Sequence, residues 1–178
     1  MERLFAEHNI TGTRIQAISA VPGILGCGKS HVKALSTPVP GETPIMVCED
    51  DLIFTVSRAE LDEIVEEFLS NAALDVLCLA YNLRAKPIPI SQSLQITDNT
   101  QTTACYVVKP DAVPHIRQSF EASVEELTGG GDTKKAALDI VWKKLQGGKL
   151  IFAAPRKRVA VQRPGFSDIA ETFVDYGV

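Results

Sequence analysis

The 178-residue chain contains no run of about 18 consecutive apolar side chains, so no membrane-spanning helix is expected. Its start, Met-Glu-Arg-Leu-Phe, lacks a cationic segment followed by an apolar one, so no signal peptide is read there. Basic residues are not in excess: 18 Lys and Arg face 22 Asp and Glu, and the net charge of −4 excludes the bulk positive field expected for a nucleic-acid partner. Cysteine is sparse and scattered. Cys27, Cys48, Cys78 and Cys105 form no C-x-x-C pair and no Cys/His cluster at zinc spacing, so they are expected to be reduced, structural thiols. What is present is an ordinary globular composition. Hydrophobic residues at 45% and charged residues at 22% exclude a wholly disordered chain, and the length fits one domain over residues 1–178. A cytoplasmic location is the default expectation.

Leu4, Phe5 and Ile10 fall near helical spacing, and Thr11-Gly12-Thr13 closes that first segment. Residues 14–21 set Ile15 and Ala17 against Gln16 and Ile18 and predict a short strand. Gly23, Gly26 and Gly28 then predict a loop of unusual backbone freedom, with Ser30 capping a short helix over 31–35. Residues 45–48 are apolar and run into Glu49-Asp50-Asp51, the pattern of a buried, parallel strand with three acids at its carboxyl end. Ser57 and Glu60 make a capping box ahead of Leu61, Ile64, Val65, Phe68 and Leu69 at helical spacing. Two further buried strands are predicted over 75–81 and 102–108, separated by a polar, Pro-interrupted stretch. Beyond them the sequence predicts helices over 112–127 and 134–145, a hinge-like loop over 128–133, and short strands at 150–153 and 159–161. Strands alternating with helices imply an α/β fold with a largely parallel sheet.

Three adjacent carboxylates repel one another unless a cation or hydrogen-bond donors compensate, and Mg²⁺ or Mn²⁺ takes oxygen ligands of this kind. Ligands of open α/β sheets sit outside the carboxyl ends of the strands, where this triplet falls. The bland alternative is a solvated acidic turn. Residues 23–30, GILGCGKS, satisfy the P-loop expression literally. A P-loop, however, follows an apolar strand and opens a long helix, whereas Pro22 precedes this one and about one helical turn is expected after it. A nucleotide phosphohydrolase using Lys29 and Ser30 is the weakest reading. Asp139 and Trp142 lie three apart and share a helical face. A carboxylate beside an indole suits proton transfer from a sugar hydroxyl with the ring stacked on the sugar; the alternative is a core Trp and a solvent-facing Asp. His8, His31 and His115 are scattered and read as structural. The basic stretch PRKRVAVQR, residues 155–163, suits a solvated strand edge better than a phosphate site.

Taken in order, these pieces resemble family 25 of the glycosyltransferases, the lipopolysaccharide-biosynthesis and procollagen-galactosyltransferase group. The matching segments are Gly26-Cys27-x-x-Ser30-His31, the strand ending Glu49-Asp50-Asp51, and Asp75-Val76-Leu77-x-Leu79. They continue with Thr103-Ala104-x-Tyr106-Val107-Val108, Asp139-x-x-Trp142-x-x-Leu145 and Val161-Gln162-x-x-x-Phe166-Ser167-Asp168-Ile169. Each is weak alone; six in order, over residues 10–170, are fairly specific.

The resemblance implies a GT-A-like, Rossmann-like nucleotide-sugar-binding domain with a mostly parallel sheet. It implies Mn²⁺ or Mg²⁺ and an inverting transfer of a hexose from a UDP-sugar to a hydroxyl of a glycan or glycoprotein acceptor. Carried over by position, Asp51 and Glu49 would hold the metal. Ser30, His31, Glu49, Asp50, Trp142, Gln162, Ser167 and Asp168 would bind donor or substrate, and Asp139 would be the catalytic base. Family members usually begin with a strand of the type v-i-N-L-x-x-R-x-x-R, and this sequence starts at the helix that follows it. The unpaired edges so left would be covered in a homo-oligomer. The alternative function is a non-catalytic member serving as a binding or assembly module.

Overall fold

A computed structural model describes residues 2–167 and 172–175. The elements run α1 (Glu2–Glu7), α2 (Gly23–Ser36), β1 (Ile45–Cys48), β2 (Leu52–Phe54), α3 (Arg58–Ser70), β3 (Val76–Leu83), β4 (Ile88–Pro89), β5 (Leu94–Thr97) and β6 (Thr100–Val108). They continue with α4 (Val113–Thr128), α5 (Thr133–Ala136), α6 (Leu138–Val141), a 3₁₀ turn over Trp142–Leu145, β7 (Phe152–Pro155), β8 (Ala160–Gln162), β9 (Gly165–Ser167) and β10 (Thr172–Val174).

The fold is mixed α/β, and its main sheet corrects the parallel expectation. Six strands lie in the order β1-β6-β3-β7-β5-β4, and β3/β7 is the one parallel pair among them. The strands that precede and follow helices, β1, β3 and β7, do run in one direction. The antiparallel β6 is inserted between β1 and β3, because the chain after β3 turns back through β4 and β5 instead of a helix. A strand covered on both faces reads as a continuous apolar run whichever way it points.

Helices cover both faces. On β3, Leu77 and Leu79 join a core with Leu61, Ile64 and Phe68 of α3, while Val76 and Cys78 face Ile116 and Phe120 of α4 and Trp142. The alternation breaks at Ala80, which shares a face with Leu79, and at Ala104 and Cys105 of β6. There the β3/β6 register shifts, since Ala80 pairs with Cys105 but Asn82 with Gln101. Such a bulge turns β6 side chains out of the regular pleat.

Helix α3 starts as predicted, with Ser57 Oγ accepting from the Glu60 N–H. Three local expectations fail. The glycine-rich stretch is helical: α2 opens at Gly23, so there is no phosphate-cradling loop. A Cβ on Gly26 would lie 2.5 Å from the Ile18 carbonyl oxygen, and one on Gly28 3.0 Å from Val124 Cγ2 of α4. Each helical glycine costs up to about 1 kcal/mol against alanine, and this close approach offsets it. Residues 14–21 are not a strand, because their polar backbone groups pair with α2. The Ile18 N–H donates to Ser30 Oγ at 2.8 Å, and Lys33 Nζ donates to the Gln16 carbonyl. Finally, the helix over 134–145 is broken at Ala137, whose ψ of 144° ends the first turn. The break lets Ala136, Leu138, Val141 and Trp142 all be buried, whereas a straight helix would turn Ala136 away from the other three. No helix among the described residues is long and apolar enough to cross a membrane.

Candidate functional site

The carboxylates after β1 are held by strands distant in sequence. The Glu49 N–H donates to the Ala104 carbonyl at 2.8 Å, extending the β1/β6 ladder one residue past the strand. A turn follows, and β2 then pairs antiparallel with β8, Leu52 opposite Gln162. The Arg163 N–H donates to the Asp51 carbonyl, so the Gln162 side chain reaches both acids. Its Nε2 lies 3.3 Å from Glu49 Oε2 and 3.3 Å from Asp51 Oδ2. The other Asp51 oxygen, Oδ1, is buried with no hydrogen-bond partner. Burial and the neighbouring Glu49 raise the Asp51 pKa above the ordinary carboxylate range, against the lowering effect of Gln162.

The β6 bulge supplies the rest. Thr102 has φ +74°, a left-handed conformation that a β-branched residue adopts only under strain. In that pose its Oγ1 donates to Gln162 Oε1 and its backbone N–H serves Asp139, while Thr103 Oγ1 donates to Glu49 Oε1. Thr102→Gly should therefore be more stable than Thr102→Ala, since both lose the Oγ1 hydrogen bond and glycine alone sheds the strain. Relief of about 1–3 kcal/mol of strain exceeds glycine's entropic cost of about 0.5–1 kcal/mol. Urea denaturation should place the glycine variant about 1 kcal/mol above the alanine variant; the reverse order would mean that the backbone pose is not strained.

Asp139, on α6, is half-buried. Burial raises its pKa; the Thr102 N–H and Lys143 oppose this, and Glu49 adds to it. His31 is buried on α2, its Nδ1 3.0 Å from the Tyr106 hydroxyl and its Nε2 3.4 Å from Glu49 Oε1. Burial works against its protonation, but the Tyr106 hydroxyl, Cys27 and Glu49 outweigh it, and the pKa stands well above the usual histidine value. Glu49, Asp51, Gln162, Asp139 and His31 are thus brought into one connected cluster.

Other predicted site residues lie elsewhere or do other work. Trp142 is fully buried, its Nε1 donating to the Thr100 carbonyl at 3.2 Å, so its ring is packed in the core and not offered to a sugar. Ser30 is in the middle of α2 and donates to the Gly26 carbonyl, where it pins the preceding coil and caps nothing. Asp50 is exposed on the turn. Ser167 sits on β9 opposite Thr172 of β10, and Asp168 lies outside the described residues. Two shallow surface concavities, one beside α2 and α4 and one beside Lys109, include no residue of the cluster.

Sequence reading missed Cys27, Thr102, Thr103 and Tyr106. Cys27 and His31 are four apart, and that spacing becomes informative once the segment is seen to be a helix. The threonines carry no sequence signal, because it is the bulge that turns them inward. No family model matches the chain, and no curated protein matches it significantly.

Proposed function

We propose that the chain is a metal-dependent, inverting glycosyltransferase of GT-A-like fold, acting in glycan biosynthesis. It would move a hexose from a UDP-sugar to a hydroxyl of a glycan or glycoprotein acceptor. The observation that carries this reading is the buried, unpartnered Asp51 Oδ1 within a cluster of Glu49, Gln162 and Asp139 drawn from three distant segments. A carboxylate oxygen left without a donor suits a hard cation, and Glu49 and Asp51 offer an all-oxygen set for Mn²⁺ or Mg²⁺. When bound, the ion would supply positive charge against the diphosphate leaving group.

The chain's own residues would do the rest. Gln162 and Thr103 hold Glu49, and Gln162 ties it to Asp51, so neither carboxylate needs to reorganise. Asp139 is held by the Thr102 N–H, and burial raises its pKa, which brings its basicity closer to neutral pH. Its carboxylate takes the proton of the acceptor hydroxyl as that oxygen bonds to the anomeric carbon. The bond from that carbon to the diphosphate breaks on the opposite face, and the nucleoside diphosphate leaves.

Thermal unfolding with UDP-, GDP- and CMP-sugars, each with and without Mn²⁺, tests the reading. A donor present at a hundredfold excess over its Kd stabilises by about 2.7 kcal/mol, or roughly 5–11 °C for a domain of this size. One donor class shifting the midpoint only with metal is the expected result. No shift with any donor leaves the binding-module alternative in its place.

A further inference from the structure

We infer that Cys27, His31 and Glu49 form a binding site for a borderline divalent ion, Zn²⁺ foremost, distinct in chemistry from the all-oxygen set at Asp51. One ligand atom from each lies within 4.8 Å of the other two. Cys27 and His31 are one helical turn apart on α2, a spacing that puts both on one face, and Glu49 meets them from the end of β1.

One of the three separations is that of a tetrahedral ion. Zn–N and Zn–O bonds of about 2.0–2.1 Å at the tetrahedral angle separate two ligand atoms by about 3.4 Å. His31 Nε2 and Glu49 Oε1 stand 3.4 Å apart. The support expected around a metal-bound imidazole is also in place: Nδ1, the nitrogen facing away from Glu49, meets the Tyr106 hydroxyl at 3.0 Å, which holds the ring with Nε2 towards Glu49. Thr103 Oγ1 on Glu49 Oε1 and Gln162 Nε2 on Glu49 Oε2 orient the carboxylate. Thiolate and imidazole favour zinc over magnesium or manganese. Cys27 and Glu49 are only partly buried, so a water can take the fourth position. Glu49 is common to this site and to the set at Asp51; the inference rests on Cys27 and His31 and does not require the transferase reading.

Co²⁺, which reports zinc-type sites by its colour, is titrated into the full chain under reducing conditions without nucleotide sugar. One equivalent should bind with tetrahedral d–d bands and a thiolate-to-cobalt charge-transfer band, and Zn²⁺ should displace it. Cys27→Ser should abolish the charge-transfer band and weaken binding at least about 100-fold, with circular dichroism and melting of the metal-free protein unchanged. His31→Gln should weaken binding similarly, and if it does not fold, Cys27→Ser alone decides. Absence of the charge-transfer band in the wild type overturns the inference. So does a band that survives Cys27→Ser but is lost in Cys48→Ser, since Cys48 and Cys105, with sulfurs 3.3 Å apart, are the other thiols that could bind the ion together.

Discussion

Replacing Trp142 with alanine is expected to destabilise the fold by about 3–5 kcal/mol, read by urea denaturation. The indole is fully buried between Tyr106, Phe120 and Phe152, with ring centroids at 5.6, 6.3 and 5.3 Å. Truncation leaves a cavity that the sheet on one side and α4 on the other cannot collapse to fill. The lost hydrogen bond matters less, because the Thr100 carbonyl keeps Gln146 Nε2 at 3.0 Å. Trp142→Phe should therefore recover most of the loss. If instead stability changes by less than about 1 kcal/mol while acceptor affinity collapses, the ring serves a sugar and the packing account fails.

If the chain is the transferase proposed above, Asp51→Asn should lower its activity roughly 10²–10³-fold, the usual cost of removing one electrostatic stabiliser from such a site. It should do so without destabilising the chain. The native pKa of Asp51 is raised by burial and by Glu49, so the folded state binds this proton more readily than the unfolded state. Ionising Asp51 therefore costs stability: its contribution is full below the ordinary carboxylate value of about 4 and is lost as pH rises through the raised value. Asparagine carries no such charge. The melting temperature of the variant minus that of the wild type should grow as pH rises from about 4 towards neutrality. A difference that is flat or shrinks over that range would mean that Asp51 is not a burdened carboxylate. Activity lost while stability is kept or gained is the pattern of a group retained for function.

Where the outcome depended on neighbours in sequence, it was legible. The Ser57 cap, the apolar spacing of α3 and the apolar runs of β1, β3 and β6 each specify their own element, and the structure places them there. Strand direction was not legible, since burial on both faces of a sheet erases the alternation that carries direction and register. The glycine stretch misled for a related reason. Gly26 and Gly28 are needed because other segments approach α2 closely, and nothing in 23–30 records what lies against it. Of the residues in the candidate cluster, Glu49, Asp51 and Asp139 were singled out by their chemistry and spacing, and Gln162 by the resemblance alone. Thr102 and Thr103 join them through a two-residue shift of register, and Cys27 joins through a helix the glycines concealed.

The β2/β8 ribbon has a dynamic consequence. It is two strands of three residues each, outside the six-stranded sheet, yet it joins Asp51 to Gln162 across 111 positions of sequence. Contacts so distant in sequence must meet their loop-closure entropy before they stabilise anything, so they are slow to close in folding. Leu52, Phe54 and Ala160 of the ribbon are buried in the core under α3, so the ribbon cannot part without opening that core, and Gln162 then leaves both carboxylates together. Assembly of the acidic cluster is thus tied to the closing of that core.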